Sequence, residues 1–444
     1  MASSIPNTRE KSTPNSAAEA LNKIIKEEGK SHYQLLSHIG RMAFFPKKGI
    51  LAQAAEAKGK SINATIGMSV EDNGAPMHLS SMFEGTKLSA QEIYPYASSY
   101  GKPELRSEWQ KQIFRKNPSL KTTISLPVMT AGLTHGLSIV GKMFLEEGDE
   151  VILSKEFWGN YRLVFEQSYG AHLKSFNTFK NHSFDLESFQ QTINEQKSSK
   201  KVVLLNFPNN PTGYTPTEEE IEEISSILKE SANQGNNILV ICDDAYFGLV
   251  FKEGIYKESI FAKLANLHQN ILAIKIDGST KEDYNWGSRV AAITYGGKGL
   301  TQDGYTALAE KTAGLVRGNL SNIPHISQSA LLHALQAPSY QEEKNIMFTT
   351  LKSRFDEVIR VLDKNSELYE KYFTTLPFNS GYFMCLKVNE GMDAEKIRKT
   401  LLEKYDTGLI AIGNLLRIAF SSVPKNDLER LFENIYKASQ DSSS

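Results

Sequence analysis

The segment NFPNNPTGYTP, residues 206–216, directly follows the apolar run KVVLL at residues 201–205. It is rich in asparagine, proline and glycine, which bend or restrict the backbone, and it contains more of them than a plain turn requires. A helical pattern follows, in which Thr217 and Glu220 are spaced as a capping box. The order of strand, rigid turn and helix predicts an α/β unit whose turn leaves an amide side chain directed at another group.

Length and composition indicate an ordinary soluble globular protein. The chain has 444 residues, of which 40% are hydrophobic and 23% charged, and this length favours two domains over one. A formal net charge of −1 provides no basic surface for nucleic acid or an anionic membrane. The two cysteines, Cys242 and Cys385, exclude a disulfide framework and indicate a reducing compartment. Because there is no apolar run of about 18 residues and no signal sequence, we expect a cytoplasmic protein without a membrane span.

Short apolar runs rich in valine and isoleucine alternate with helical patterns through the middle of the chain. These runs lie at residues 149–157, 201–207, 237–246, 270–278 and 290–296. The alternation predicts an α/β fold with a mostly parallel sheet between helices. From about residue 326 helical patterns dominate, and GYFMCLKV (381–388) and LLRIAFSSV (415–423) are predicted to be strands of a smaller domain.

Polar residues follow the predicted strands at their carboxyl ends, where parallel sheets bind ligands. They are Asn210, Asp243, Tyr246, Lys281 and, eight residues after the lysine, Arg289. Each has an ordinary structural explanation when taken alone, such as a turn, a helix cap or a surface charge. Together they suit pyridoxal phosphate, because a lysine forms a Schiff base with its aldehyde and a carboxylate keeps its ring nitrogen protonated. The ring hydroxyl needs hydrogen-bond donors, and the phosphate needs a guanidinium.

These motifs resemble those of the class I aminotransferases, which are aspartate aminotransferase-like enzymes of fold type I that depend on pyridoxal phosphate. The resemblance covers roughly residues 60–425. It rests on an ordered set of motifs, namely NNPTG (209–213), DDAY (243–246), Lys281 with Arg289, and LLRIAF (415–420).

The resemblance implies a large domain with a mostly parallel sheet between helices and a smaller α+β domain. Along the chain we expect a flexible N-terminal arm at residues 1–17, the N-terminal part of the small domain at 18–79, the large cofactor-binding domain at 80–325 and the C-terminal small domain at 326–440. The final residues SQDSSS (439–444) are expected to form a frayed tail.

The resemblance also implies a role for each motif residue. Lys281 is expected to form the aldimine and to move the proton, while Asp243 pairs with the pyridinium. Asp243 precedes Tyr246 by three residues, as the family aspartate precedes its tyrosine, and Asp244 is expected to point elsewhere and satisfy local backbone donors. Asn210 and Tyr246 would donate to the ring hydroxyl and Arg289 would bind the phosphate.

Three further segments are expected to contact the cofactor. In FWGNY (157–161), Trp158 would stack on the ring, although a purely structural core position is the alternative. In TAGLTHG (130–136), the backbone around Gly132, Leu133 and Thr134 would bind the phosphate at a helix N-terminus. In YPYASSYGKPELR (94–106), Tyr96 matches the tyrosine that reaches the phosphate of the other subunit better than Tyr94 or Tyr100 does.

One position departs from the family pattern. The hydroxyl residue that usually stands three positions before the lysine is here Gly278. Ser279 or Thr280 could supply this hydroxyl, or the contact could be absent, and we assign Ser279 as the cofactor-binding candidate.

The substrate residues are also inferred from the resemblance. Arg417 matches the arginine that binds the α-carboxylate, and Asn160 and Gly67 are assigned to the same substrate site. Arg317, in LVRGNLSNIP (315–324), matches an arginine that binds the distal carboxylate from the neighbouring subunit. We therefore expect a homodimer with shared active sites and a preference for aspartate or another dicarboxylic amino acid.

The expected reaction is a ping-pong transfer of an amino group, through a Lys281 aldimine, to a 2-oxo acid such as 2-oxoglutarate. The alternatives are a carbon–sulfur lyase of the same fold, an aromatic or broad-specificity aminotransferase, and a ligand-sensing protein. GLSIVGKM (136–143) has the glycine and lysine spacing of a P-loop, but Met143 replaces the hydroxyl residue that would hold magnesium. No histidine or cysteine spacing indicates a metal site.

Overall fold

The computed structural model describes residues 13–46 and 49–443. The strands of this part are β1 Ile62–Asn63, β2 Val128–Thr130, β3 Glu150–Ser154, β4 His172–Phe176, β5 Phe179–Lys180, β6 Ser183–Phe184, β7 Lys200–Asn206, β8 Asn237–Asp243, β9 Ile271–Gly278, β10 Ala291–Gly297, β11 Phe373–Thr375, β12 Met384–Val388, β13 Thr407–Gly408, β14 Ile410–Ile412 and β15 Leu415–Ile418. A π-helix spans Arg162–Gln167, and short 3₁₀ turns span Phe420–Ser422 and Lys425–Asp427.

The α-helices begin and end as follows. They are α1 Ser16–Glu28, α2 Lys30–Leu35, α3 His38–Met42, α4 Ile50–Glu56, α5 Ser80–Glu84, α6 Ala90–Ile93, α7 Pro103–Lys116, α8 Leu133–Phe144, α9 Leu186–Glu195, α10 Glu218–Asn233, α11 Phe261–Leu264, α12 Ser279–Glu282, α13 Gln302–Asn319, α14 His325–Gln336, α15 Tyr340–Lys364, α16 Ser366–Tyr369, α17 Ala394–Lys404 and α18 Leu428–Ser443.

A seven-stranded sheet in the order β2-β10-β9-β8-β7-β3-β4 forms the centre of the molecule. All neighbouring pairs are parallel except those of β10, which runs antiparallel to both β2 and β9. β7 and β8 are buried almost without interruption because helices cover both faces, which explains their continuous apolar sequences. The sheet therefore confirms the predicted α/β fold with a mostly parallel sheet between helices.

The central strands bring their carboxyl ends to one level. Asn206, the last residue of β7, lies beside Asp243, the last residue of β8, and Asp243 lies beside Ile276 in β9. The predicted capping box at the start of α10 is present, with Thr217 and Glu220 bonded to each other's backbone N–H groups. α10 then packs its isoleucine face on β8.

A second, antiparallel sheet in the order β11-β12-β15-β14 contains the two strands predicted near the C-terminus. The segment before the large sheet joins this part of the molecule, because β1 pairs in parallel with β13. α17 packs against β13, β14 and β15, and it also packs against α18. The domain division at residues 80 and 326 stays a prediction.

Both predicted chain ends need correction. Residues 1–12 of the expected arm lie outside the described residues, but Ser16 and Ala17 already belong to α1, since the Asn15 side chain accepts hydrogen bonds from the N–H groups of Ala17 and Ala18. At the other end α18 continues to Ser443. Its last turn is held by α17, where Lys396 Nζ donates to the Ser442 carbonyl at 2.8 Å.

The described residues contain no helix with the length and hydropathy needed to cross a bilayer.

Candidate active site

The loop at residues 206–216 is fastened to the neighbouring strand by its first residue. Asn206 Nδ2 donates to the Asp243 carbonyl at 2.8 Å, and Asn206 Oδ1 accepts from the Asn210 N–H at 2.8 Å. Further along, Gly213 has φ 74°, and a Cβ atom at this position would lie 1.9 Å from the Phe383 carbonyl oxygen. Only glycine fits this close approach, so the backbone conformation of the loop is fixed and Asn210 stays at the end of the sheet.

A cleft of about 430 Å³ opens at this end of the sheet. Ten of the fifteen residues assigned from the sequence line it, namely Gly67, Leu133, Thr134, Trp158, Asn210, Asp243, Tyr246, Lys281, Arg289 and Arg417. They come from many parts of the chain, and the fold alone brings them together. The structure thus joins the motif residues in one cavity.

Asp243 is fully buried at the end of β8 and accepts a hydrogen bond on each carboxylate oxygen. The Ala245 N–H donates to Oδ1 at 3.1 Å, and the Tyr161 hydroxyl donates to Oδ2 at 2.5 Å. Burial raises the pKa of Asp243, while the hydrogen bond from Tyr161 and the charge of Lys281 oppose this rise.

Asp244 points away from the cleft, as expected for successive residues at the end of a strand. Its carboxylate pairs with the ammonium of the buried Lys275 and accepts from Ser259 Oγ at 2.6 Å. The expectation that Asp244 satisfies backbone donors is therefore wrong. Lys275 Nζ also lies 3.3 Å from Asp277 Oδ2. These three residues form a buried ion cluster at the ends of β8 and β9, outside the cleft lining.

Lys281 is half-buried in α12, directly after β9. Burial lowers the pKa of its amine from 10.5 to about 8, a shift that Asp243 opposes and Arg289 assists. Its Nζ lies 5.1 Å from the centre of the Tyr246 ring, and its backbone carbonyl accepts from the Tyr382 hydroxyl at 3.0 Å. Burial also raises the pKa of the Tyr246 phenol well above its ordinary value, so this group is a hydrogen-bond donor.

Arg289 meets the N-terminus of α8. Its backbone is in the left-handed region at φ 53°, a conformation that costs a non-glycine residue free energy and recurs at functional sites. Gly132, at the start of α8, has φ 79°, and a Cβ atom there would lie 2.3 Å from Arg289 Nη2. A guanidinium and the first N–H groups of a helix, at Leu133 and Thr134, therefore face the same part of the cleft, which is suited to a phosphate.

The hydroxyl assigned to Ser279 needs correction. Ser279 is fully buried outside the cleft lining, and its Oγ lies 3.4 Å from the Val290 carbonyl. Thr280 lines the cleft instead, and its hydroxyl oxygen is buried without a hydrogen-bond partner in the described part of the chain. At Gly278 a Cβ atom would lie 2.7 Å from both Ala291 Cβ and the Val290 carbonyl oxygen, so no side chain fits the family's usual position.

Arg417 extends from β15 into the other side of the cleft and is almost fully buried. Its Nη2 donates to the Thr65 carbonyl at 2.9 Å, and its guanidinium lies 4.4 Å from the centre of the Phe383 ring. Within residues 13–46 and 49–443 no carboxylate pairs with it, and its Nε has no hydrogen-bond partner. A buried cation without a counter-charge is a strong candidate for binding an anionic ligand group.

Three further assigned residues lie outside the cleft of this protomer. Asn160 is exposed, because the turn that brings Trp158 to the cleft leaves the following two residues at the surface, and this corrects its assignment. Tyr96 is 92% exposed, and Arg317 is bonded to Ser321 Oγ at 2.9 Å at the end of α13. Both were assigned to the site of a second subunit, and those roles stay predictions.

The cleft also contains residues that were not assigned from the sequence. Tyr161 and Asn206 contact Asp243, and both lie inside segments that were already singled out, FWGNY and NFPNNPTGYTP. The apolar side of the cleft was not foreseen, and it consists of Ile50, Leu51, Ala54, Ile66 and Phe383. Ile50, Leu51 and Ala54 belong to α4, whose Gln53 exchanges hydrogen bonds of 2.7 and 3.0 Å with the backbone of Ala411 in β14.

Comparison with known protein families agrees with this geometry. Residues 76–435 match the sequence model of the family described as aminotransferase class I and II. This chain belongs to that family. It is thus an aminotransferase, and the family depends in general on pyridoxal phosphate.

Among curated relatives, the probable aspartate/prephenate aminotransferase of Aquifex aeolicus is 24% identical over 74% of this chain and 78% of its own length. The aspartate aminotransferase of Bacillus sp. strain YM-2 is 26% identical over 70% of this chain and 73% of its own. The cytoplasmic aspartate aminotransferase of Saccharomyces cerevisiae is 24% identical over 69% and 75%.

Solved structures share the fold. An aminotransferase from Anaerococcus prevotii superimposes with a TM-score of 0.76 at 23% identity, covering 98% of this chain and 99% of its own. A kynurenine aminotransferase from Pyrococcus horikoshii has a TM-score of 0.77 at 14% identity, covering 94% and 99%. At these identities the likeness concerns the fold.

Proposed function

We propose that this protein uses pyridoxal phosphate to transfer an amino group from an L-amino acid to a 2-oxo acid such as 2-oxoglutarate. One observation carries the proposal: the Lys281 amine, with its lowered pKa, lies in the same cleft as the buried carboxylate of Asp243. A structural lysine gains nothing from such an environment, whereas a lysine that must react as a free amine needs it.

The residues of the cleft fit this cofactor. Arg289, the N-terminus of α8 at Gly132, Leu133 and Thr134, and the unpartnered hydroxyl of Thr280 would hold the phosphate. Asp243 would hold the ring nitrogen, Asn210 and Tyr246 the ring hydroxyl, and Trp158 the ring face. When bound, pyridoxal phosphate supplies an aldehyde that attaches amines and a protonated ring that takes up electrons from the substrate carbon.

The protein's own residues would guide the substrate and the proton. Arg417 would bind the α-carboxylate, since its guanidinium is buried, fixed by Thr65 and Phe383, and without a counter-charge. Lys281 Nζ would take the proton from the substrate α-carbon and deliver it to the carbon that was the cofactor's aldehyde, because a pKa of about 8 leaves an appreciable neutral fraction near neutral pH. The hydrogen bond from Tyr382 to the Lys281 carbonyl would fix the position of this amine.

We further propose a dicarboxylic donor and a homodimer with shared sites. The curated relatives named as aspartate aminotransferases support the donor. Inside one protomer the guanidinium groups of the cleft belong to Arg289 and Arg417. A distal carboxylate would therefore need Arg317 of a second copy, whose side chain is exposed at the surface, as is that of Tyr96. A cytoplasmic location is part of the proposal and is supported by the name of the yeast relative.

The reaction is tested by supplying the reconstituted protein with L-aspartate and 2-oxoglutarate and measuring glutamate formation. We expect turnover in the wild type and little in the Asp243→Asn variant, which keeps the shape of the side chain but loses its charge. In parallel, cystathionine is supplied and pyruvate with ammonia is measured. Elimination without amino transfer would identify a carbon–sulfur lyase and refute the proposal.

Shared sites and the dicarboxylate preference are tested with mixed dimers and a donor panel. A Lys281→Ala chain mixed with a Tyr96→Phe/Arg317→Ala chain should regain one intact site per heterodimer. Arg317→Ala alone should lose its preference for aspartate over aromatic donors, by roughly a hundredfold in kcat/KM. Equal turnover of aspartate and an aromatic donor by the wild type would contradict the dicarboxylate assignment and favour a broad-specificity aminotransferase.

A further inference from the structure

Tyr161 forms part of the cleft wall beside Asp243 and is only 1% exposed. It directly precedes the π-helix Arg162–Gln167. Its ring packs edge-on against Trp158, with centroids 5.5 Å apart, and near-parallel to Phe165 at 6.1 Å. Such packing leaves the ring a single orientation, so the position of its hydroxyl is determined by the aromatic cluster rather than by solvent.

The hydroxyl of Tyr161 is directed at one carboxylate oxygen. It donates to Asp243 Oδ2 at 2.5 Å, while Oδ1 takes the Ala245 N–H at 3.1 Å. Burial and the neighbouring Asp243 carboxylate raise the pKa of the Tyr161 phenol well above its ordinary value. The phenol therefore stays protonated and acts only as a donor toward this carboxylate.

The other ionisable groups around Asp243 come from three places. Next to it in sequence are Cys242 on β8 and Asp244 just after the strand, and the Asp244 carboxylate pairs with Lys275. From α12 the amine of Lys281 faces Asp243, and from the segment after β8 the phenol of Tyr246 does so. Lys281 changes its charge and its bonding during the proposed reaction, so its help to the ionised carboxylate is intermittent.

We propose that Tyr161 is a positioning residue that keeps Asp243 ionised and fixes the direction of its carboxylate toward the ring nitrogen of the cofactor. This inference rests on the proposed function. Without the phenol, burial would favour the protonated acid, and Asp243 Oδ2 would lose the hydrogen bond that it accepts from Tyr161. Tyr161 acts through Asp243 and needs no contact with the substrate.

The test compares two cofactor probes on the apoprotein, so that it does not depend on turnover. Pyridoxal phosphate has the ring nitrogen that Asp243 would bind, and its 1-deaza analogue has a carbon in that place. Dissociation constants for both probes are measured by equilibrium titration for the wild type, Tyr161→Phe, Asp243→Asn and the double variant. Tyr169→Phe is the matched control, since it removes a phenol that donates to the Ser138 carbonyl at 2.8 Å and leaves Asp243 untouched.

We expect the wild type and Tyr169→Phe to prefer pyridoxal phosphate over the deaza analogue, and Tyr161→Phe to lose roughly tenfold or more of that preference. As the pH is lowered, protonation of Asp243 should abolish the preference for pyridoxal phosphate. This loss should occur at a higher pH in Tyr161→Phe than in the wild type, because the pKa of Asp243 rises when the hydrogen bond is removed. In the Asp243→Asn background the substitution at Tyr161 should have no further effect. The phenylalanine ring preserves the aromatic packing, and thermal unfolding of both tyrosine variants verifies that they are folded.

An unchanged preference in folded Tyr161→Phe, with tight and selective binding by the wild type, would overturn this inference alone. An effect of Tyr161→Phe that persists in the Asp243→Asn background would also overturn it, since the residue would then not act through Asp243. If the wild-type apoprotein binds neither probe, the proposed function itself fails, and this inference with it.

Discussion

Replacing Lys281 by methionine should stabilise the protein while abolishing its proposed activity. The protonated amine is disfavoured in the folded state because burial lowers the pKa of Lys281 from 10.5 to about 8. This difference corresponds to a cost of about 3 kcal/mol for the charged form. Since the side chain is half-buried and the cleft admits water, we expect Lys281→Met to raise the free energy of unfolding by about 1–3 kcal/mol. Methionine has nearly the length of the lysine stem, with a sulfur in place of one methylene, and it lacks the ammonium.

The sign of the pH dependence follows from the direction of the shift. The pKa is lower in the folded protein than in the unfolded chain, so the cost is fully present below about pH 8 and vanishes as the pH rises to about 10.5. Between about pH 8 and about pH 10.5 the free energy of unfolding of the wild-type apoprotein should therefore increase as this cost disappears, and that of Lys281→Met should lack this increase. The gain of the variant should be greatest at about pH 7 and should shrink toward about pH 10.5.

Urea unfolding of cofactor-free protein at several pH values measures this difference. Lys298→Met is the control, because Lys298 is exposed after β10 and its replacement should change the free energy of unfolding by less than about 0.5 kcal/mol. If Lys281→Met were less stable than the wild type at about pH 7, or if its gain were the same at about pH 10.5, a disfavoured ammonium in the cleft would be refuted.

Three further substitutions test other parts of the site. Gly132→Ala should weaken pyridoxal phosphate binding by roughly tenfold or more, because its Cβ would lie 2.3 Å from Arg289 Nη2. Gly235→Ala, with φ 92° and no atom within 4 Å of the added Cβ, is its control for backbone strain, and equal binding losses would contradict the steric explanation. Arg417→Lys should lower kcat/KM for every amino acid donor alike, by roughly 10- to 100-fold, and a loss confined to dicarboxylic donors would contradict its role. Lys275→Met leaves two buried carboxylates without their cation and should lower the free energy of unfolding by about 3–5 kcal/mol, as measured by urea unfolding; a change below about 1 kcal/mol would contradict that ion cluster.

Much of the architecture could be predicted because local patterns and global fold agree. Continuous apolar runs predicted the buried strands, and the residues after β7, β8 and β9 had to meet because parallel strands end at one edge. The direction of β10 could not be predicted, since an antiparallel strand buried on both faces has the same composition as a parallel one.

The site was predictable where a motif fixes spacing and unpredictable where contacts join distant segments. Asp243 and Lys281 follow from their own strands, whereas the hydrogen bond between Tyr161 and Asp243 joins residues 82 positions apart. The choice between Ser279 and Thr280 depends on how the short helix α12 is rotated, which spacing does not reveal. For Asn160 the resemblance identified the turn, but the exposure of its side chain is a property of the folded surface.

The role of Lys281 is tested most directly by determining which lysine binds the cofactor. The wild-type protein is incubated with pyridoxal phosphate and treated with borohydride, which converts an imine between a lysine and the aldehyde into a stable amine. Peptide mapping by mass spectrometry then locates the modification, with Lys281→Met as the control. We predict one stoichiometric modification at Lys281 and none in the control. A modification at another lysine, with Lys281 unmodified, would contradict the proposal that Lys281 binds the cofactor.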